Sequence, residues 1–312
     1  MPPVLYGCGI RSNLPLLGLA EGGTQAATID VEFRPDVPYS AVAEPPVHAS
    51  PQLTVRRTGV GYHFAYRDGT EFVVTGDGSR VMASTPAGAS HEDTCTYLVG
   101  PVFGFLLRLR GAVCLHASVA VVGGRAVVVC GAAGSGKSSI AAAFACSGYP
   151  VMADDVAVLD DRGDALEIVP GYPRINLWPD MAQVLCGSSE ALPAITPNWQ
   201  KRYLPLHASG TGARFHAEPA GLAVVYVLAE RIPGEAPSIR GLGQREALLV
   251  LLANSYTSYL LDQGMRAREF GVLGRLVRTV PVRQVSLPED LSAAPALCET
   301  LVADIAGVGG SS

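Results

Sequence analysis

Between Ala126 and Ser147 the chain reads AVVVCGAAGSGKSSIAAAFACS, an apolar run, a loop of small residues and an alanine-rich segment of helical character. Gly131, Gly136, Lys137 and Ser138 occupy the four fixed positions of G-x-x-x-x-G-K-[ST], the template of a phosphate-cradling loop. Glycines let the backbone wrap closely and aim its N–H groups at phosphate oxygens, and a helix starting at the loop's end adds its positive terminus. The loop therefore demands a strand before it and a helix after it, which commits this part of the chain to an α/β core. Gly131, Ala132, Ala133, Gly134, Ser135, Gly136, Lys137, Ser138 and Ser139 form the candidate nucleotide-binding set. Lys137 is placed to reach the terminal phosphates of ATP, and the Ser138 hydroxyl to hold Mg²⁺.

A glycine-rich turn could match this template by accident. The chain's own residue frequencies give roughly 0.003 chance matches over all start positions. Lysine makes that number small, because only Lys137 and Lys201 occur against 21 arginines. A chain that uses Arg almost everywhere keeps Lys where a compact ammonium must enter a phosphate cradle that a planar guanidinium would overfill.

With 312 residues, 48% hydrophobic and 16% charged, the chain can bury a sizeable core, so wholesale disorder is excluded. The formal charge is −5, and apart from pairs such as Arg56–Arg57 and Lys201–Arg202 the basic residues are scattered, so nucleic acid is not an expected partner. Seven cysteines form no C-x-x-C pair, and several lie in apolar runs, which points to reduced thiols and not to a disulfide or zinc framework. The N-terminus lacks the charged start and unbroken apolar run of a secretory signal. The longest apolar tract, Ala112 to Cys130, is broken by His116, Gly123, Gly124 and Arg125, so no membrane span is expected. The expected location is the cytoplasm, with no membrane partner; a homo-oligomer is compatible with the sequence.

Residues 1 to about 50 carry many prolines around the strand-like Ala27 to Phe33 and read as an extended, irregular lead-in. Gly61 to Tyr66 and Glu71 to Thr75 alternate on either side of Arg67-Asp68-Gly69, a hairpin signal, with Asp77-Gly78 as the next turn. Tyr97 to Leu109 has helical spacing, with Pro101 in its first turn. Cys114 to Val122 and Ala126 to Cys130 read as buried strands joined at Gly123-Gly124, and the helix after the loop stops at Gly148. Val151 to Ala153 is a short strand that delivers Asp154-Asp155 at its end, and Val156 to Leu159 with Leu166 to Val169 forms a hairpin around Asp161-Arg162-Gly163-Asp164. Pro170 to Leu206 reads as loop-rich, with a short helix around Pro179 to Cys186. Gly221 to Ala229 follows as a strand, Gln244 to Leu261 and Phe270 to Val277 as helices, Val280 to Leu287 as a closing strand, and Ala294 to Ala306 as a helix before the flexible tail GVGGSS.

Leu115 to Leu159 resembles the kinase domain of HPr kinase/phosphorylase and its stand-alone relatives, over about 45 residues without a gap. Three features stand in register: His116, 21 residues before Lys137; the loop itself; and Asp154-Asp155, with Asp155 18 residues after Lys137. The resemblance implies a P-loop kinase core of the HPr kinase and PEP carboxykinase-like type with a mixed β-sheet, spanning residues 96–290. A β-rich N-terminal region, 1–95, would pack on it, and a C-terminal helix and tail would occupy 291–312. It implies that Asp155 is the general base for an acceptor serine hydroxyl, that Asp154 orients the metal or its waters, and that Ser138 ligates it. For the two carboxylates the alternative is a solvated acidic turn. For His116 the alternatives are a role in positioning phosphate or acceptor and that of a satisfied core residue.

The Glu-x-Arg-Gly-x-Gly segment of the HPr enzyme is absent, and PGYPRINLWPD (Pro170 to Asp180) stands in its place; the Pro-Val-Arg-Pro-Gly-Arg element tied to phosphorolysis is missing too. The expectation is a kinase without the reverse activity. Arg174, Lys201 and Arg202 are candidate contacts for phosphate or for a peptide carboxylate, and each has an ordinary surface cation as its alternative. The PRI-LWPD and KRYLPL segments look similar to the stand-alone kinases encoded with lasso peptide precursors, which implies a serine-containing precursor peptide as partner, phosphorylated at its C-terminal serine. Two other functions fit the same loop: a small-molecule or PEP carboxykinase-like phosphotransferase, and a nucleotide-regulated binding protein. The carboxylate pair favours the kinases, since a switch orders a water where a kinase needs a base for an alcohol.

Overall fold

Alternating apolar residues punctuated by glycine turns build the first part of the chain into strands. The computed structural model describes residues 3–16, 18–19, 28–35, 45–163, 165–206, 212–230, 238–286 and 294–308. It divides into two compact units. The first comprises Met1–Ala112, Ile195–Trp199 and Tyr256–Ala267, and the second Val113–Ala194, Gln200–Ser255 and Arg268–Ser312. The expected partition at 95 and 290 differs from this one. Residues 96–112 belong to the first unit, and the C-terminal helix belongs to the second.

In the first unit, β1 (Val4–Leu5), β2 (Cys8–Ser12), β3 (Thr28–Arg34), β4 (His48–Ala49), β5 (Leu53–Arg57), β6 (Gly61–Tyr66), β7 (Glu71–Thr75) and β8 (Arg80–Ser84) form one eight-stranded sheet. Its order is β1-β2-β3-β8-β7-β6-β5-β4, antiparallel except for the parallel pairs β2–β3 and β3–β8. The N-terminal stretch read as an irregular lead-in thus supplies strands: Ile10 and Ile29 are buried partners across the β2–β3 ladder. The helix expected from Tyr97 begins earlier, as α1 (His91–Tyr97), because Ser90 and Asp93 form a reciprocal capping box. It passes through a π-helical turn at Leu98–Val102 into α2 (Phe103–Leu109). Pro101 lies inside that turn, beside Gly100 at φ −94°, ψ −107°, so it marks a kink and not a first turn.

The second unit opens with β9 (Val113–Val122) and β10 (Arg125–Cys130), antiparallel across Gly123-Gly124. Then come α3 (Lys137–Cys146), β11 (Val151–Ala153), β12 (Val156–Asp161), β13 (Leu166–Val169), β14 (Arg174–Leu177), α4 (Pro179–Cys186) and β15 (Arg202–Pro205). β16 (Ala220–Leu228), β17 (Ser238–Gly241), α5 (Gln244–Ala253), α6 (Gln263–Thr279), β18 (Val282–Ser286) and α7 (Ala294–Val308) complete the chain. The main sheet runs β10-β9-β12-β13-β16-β18-β17, and β16 also pairs with β10 in parallel. It is therefore mixed.

Period-two alternation gives this sheet two buried faces. Val127 and Val129 pack with Ile140 and Phe144 of α3 and with Leu297 and Leu301 of α7. Leu115, Ala117, Val128 and Cys130 pack with Leu251 of α5 and Leu273 and Leu276 of α6. The Tyr226 hydroxyl donates to Asp304 Oδ2 at 2.6 Å and fastens α7 to the sheet.

The region Pro170 to Leu206 is not only loop and helix. β14 and β15 pair antiparallel, Arg174 opposite Pro205 and Leu177 opposite Arg202, with Ile175, Leu177 and Leu204 buried in the core. The helix expected through Leu261 stops at Ala253, and the chain turns at Thr257, φ 53°. The next helix is longer than expected, from Gln263, and β17 had no counterpart in the sequence reading. Asp164 and the tail from 309 lie outside the described residues.

Candidate functional site

The site is built where β10 ends. Gly131 at φ 155° and Gly134 at φ 78° shape the loop, and Gly136 at φ 107° caps α3. A Cβ on Gly131 would stand 2.8 Å from Ser135 Oγ and 3.0 Å from Leu228 Cβ, so this close approach admits only glycine. Lys137 is 6% exposed, and its Nζ donates to the carbonyls of Gly131 and Ala132, each at 2.9 Å, folding back across the loop. Burial pushes the Lys137 pKa below its ordinary value, Asp155 and then Asp154 push it back up, and the charge of Lys201 lowers it.

Beyond the loop, alternation along β9 sends Leu115, Ala117 and Val119 into one core and leaves His116 and Ser118 on the opposite face. Asp154 follows β11 directly and is 5% exposed. Its Oδ1 accepts from Ser118 Oγ at 2.7 Å and Ser138 Oγ at 2.9 Å, and its Oδ2 accepts from the Asn176 backbone N–H at 2.9 Å. Burial nevertheless holds the Asp154 carboxyl above the usual carboxylate range.

Asp155, the next residue, takes a left-handed backbone conformation at φ 75°, which Asp tolerates better than most side chains. Consecutive carboxylates thereby part: Asp154 goes inward, and Asp155 stays 42% exposed with its Oδ1 3.1 Å from His116 Nδ1. The same ring nitrogen lies 3.1 Å from the Asp155 carbonyl oxygen.

A cavity of about 550 Å³ brings these groups together. Its loop side is lined by Ala133, Gly134, Gly136, Lys137, Ser138 and Ser139, and its far side by His116, Asp155, Asn176, Trp178, Asp180 and Lys201, with Leu177 and Met181. Gly131, Ala132, Ser135 and Asp154 do not line the cavity. Arg174 and Arg202 do not line it. The Arg174 guanidinium stands 4.6 Å from the centre of the Tyr172 ring and 5.4 Å from that of Tyr203. Arg202, paired with Leu177, falls in the phase of the buried Leu204, and alternation gives Lys201 the other phase. From sequence, Arg174 and Arg202 stand as catalytic candidates ahead of Lys201, but it is Lys201 that lines the cavity; Ser118 and Asn176 are not singled out there. The signal for Ser118 was a second polar residue two positions after His116 in an otherwise apolar strand.

The residues present fit a phosphate group and a Mg²⁺ ion. Ser135 Oγ is buried without a hydrogen-bond partner, as a hydroxyl awaiting a phosphate oxygen would be, and Asn176 Oδ1 is a buried, unpartnered acceptor. Among the described residues no group of three or more His, Cys, Asp and Glu side chains is arranged to hold a metal by itself. Nucleotide-bound Mg²⁺ needs none, because it takes one or two protein oxygens with phosphate and water. Among the described residues no helix is long and apolar enough to cross a membrane.

Fold and site define a mixed α/β protein with a glycine-rich loop facing a carboxylate pair. No family model matches the chain, and no curated protein matches it. Among solved structures it is similar to the HPr(Ser) kinase/phosphatase from Coxiella burnetii, at 16% identity and a TM-score of 0.33, over 61% of this chain and 94% of that one.

Proposed function

We propose that this chain is a cytoplasmic, ATP-dependent serine kinase that transfers the γ-phosphate to a serine hydroxyl of a peptide or small protein. The observation that carries the reading is the presence of Asp155, held by His116, in the same cavity as Lys137 and Ser138. A loop that binds nucleotide needs no such group; an alcohol acceptor does.

In this reading the loop's N–H groups and Lys137 bind the phosphates of the substrate ATP, and the first turn of α3 adds its positive end. Ser138 would hold Mg²⁺, and Asp154, bonded to the Ser138 hydroxyl, would set that hydroxyl's orientation; the bound ion would neutralise charge on the phosphates. Asp155 takes the proton as the acceptor oxygen forms its bond to the γ-phosphorus, the bond to the bridging oxygen breaks, and ADP leaves. His116 fixes the Asp155 carboxylate towards the acceptor.

The peptide substrate is supported by the similarity of PRI-LWPD and KRYLPL to the lasso-precursor kinases, and the acceptor we propose is the C-terminal serine of such a precursor. Incubation with labelled ATP and a serine-ended precursor peptide, beside a no-peptide control, tests this: the label is expected on the serine. Label transfer to no serine peptide, with ATP still bound, turns the reading towards a small-molecule acceptor.

A further inference from the structure

Both lysines of the chain, Lys137 and Lys201, line the same cavity, while 21 arginines supply the other permanent cations. Lys137 has the fixed position of the phosphate loop. Lys201, the first residue of the KRYLPL segment, lies outside that loop. Among the described residues no carboxylate pairs with its ammonium, which instead stands 5.0 Å from the centre of the Trp178 ring.

We propose that Lys201 is a second phosphate-binding lysine, which leaves the Trp178 ring to hold the transferring γ-phosphoryl group of ATP from the side opposite the loop. This rests on the reading of the cavity as an ATP site. Trp178 follows β14 directly and Lys201 precedes β15 directly, so the Leu177–Arg202 pairing sets ring and ammonium side by side at one end of this small sheet. The ring is 57% exposed, and a cation over so open a ring is weakly held, so a phosphate group can draw it away. A Lys suits that exchange, being a compact charge with three rotatable donors on a flexible four-carbon stem. Phosphoryl transfer spreads negative charge over three equatorial oxygens, so cations on two sides stabilise it better than one.

Trp178 reports the exchange. The chain has two tryptophans, and Trp199→Phe leaves Trp178 as the only one. Emission is then titrated with Mg²⁺ and either ADP or a non-hydrolysable ATP analogue. The analogue is expected to change Trp178 emission more than ADP does. Lys201→Met is expected to abolish that difference and weaken the analogue by about 10-fold or more, the scale of a charge-assisted hydrogen bond, while ADP affinity stays within about 2-fold. Lys201→Gln, a second neutral variant, is used should the Met protein lose its fold, and Lys201→Arg is expected to restore part of the preference. Equal losses for ADP and analogue, or no loss for either, overturn the γ-phosphate contact. Failure of the unsubstituted protein and of the Trp199→Phe protein to bind either nucleotide overturns the ATP reading itself, a result distinct from the other two.

Discussion

Asp154→Asn is expected to make the metal- and nucleotide-free protein more stable at neutral pH while it removes phosphotransfer. Asp154 is 5% exposed, and burial raises its pKa against three hydrogen bonds, with Asp155 raising it further. The folded chain therefore keeps this proton to higher pH than the unfolded chain does. Between the unfolded value, about 3.9, and the raised folded value the native state binds more protons, so stability falls as pH rises, and above the folded value the loss is complete and constant. Asn carries no charge and escapes that loss. It also fits the site: its carbonyl can accept from the Asn176 N–H, and its NH₂ can donate to the Ser118 and Ser138 oxygens that now face Oδ1. Removing a burden of this kind is worth about 0.5–2 kcal/mol, a few degrees in Tm for a unit of this size. Urea and thermal unfolding in chelator, from pH 4 to pH 8, should show the gap open with rising pH. Saturating Mg²⁺ and ATP should reverse the order, because ligand at 100 times Kd adds about 2.7 kcal/mol to the protein that binds it. A variant less stable than the parent at pH 7 in chelator, or a gap that widens towards pH 4, would refute the reasoning.

Lys137→Ala should abolish phosphotransfer in the labelled-ATP assay, since it removes the ammonium that closes the loop. Ser138→Ala should lower turnover in a manner partly rescued by raised Mg²⁺, seen as a shift in the metal titration. Asp155→Asn should lower kcat by at least about 100-fold, the usual scale for a general base, with ATP affinity by calorimetry nearly unchanged; a worse defect in ATP affinity than in kcat would assign it to binding instead. Gly104→Ala should destabilise the first unit by about 1–3 kcal/mol in urea, because a Cβ there would stand 2.4 Å from the Tyr256 ring.

Much of the second unit was legible because its signals are local. The apolar runs of β9 and β10, the glycine pair between them, the loop and the Gly148 stop all lie within one continuous stretch, and each element takes the form its residues favour. In the first unit the strand-like Ala27 to Phe33 marked β3, whereas β2 was obscured, because its ladder to β3 is parallel and no hairpin turn announces it. The capping box at Ser90 was written in the sequence and overlooked, while the kink at Gly100-Pro101 depends on backbone angles that no spacing rule states.

Within the site, residue type was legible and phase was not. Loop polarity and proline content mark Pro170 to Leu206 as irregular, so nothing in the sequence gives a phase to Arg174, Lys201 and Arg202, and favouring Arg174 and Arg202 over Lys201 has no geometry behind it. Once Leu177 pairs with Arg202, a strand's two-residue period separates Arg202 from Lys201: Ile175, Leu177, Arg202 and Leu204 share one side, and Arg174, Asn176 and Tyr203 the other, where Arg174 is taken up by the Tyr172 and Tyr203 rings. A slip of β15 by one residue against β14 would exchange Lys201 for Arg202 at the cavity and move Leu204 out of the core. Burial of Leu204, worth about 1.5–3 kcal/mol, therefore helps select which cation faces the cavity. The same logic separates Asp154 from Asp155. Adjacent carboxylates would alternate in any strand, and the left-handed turn at Asp155 keeps the second on the cavity while the first stays behind Ser138.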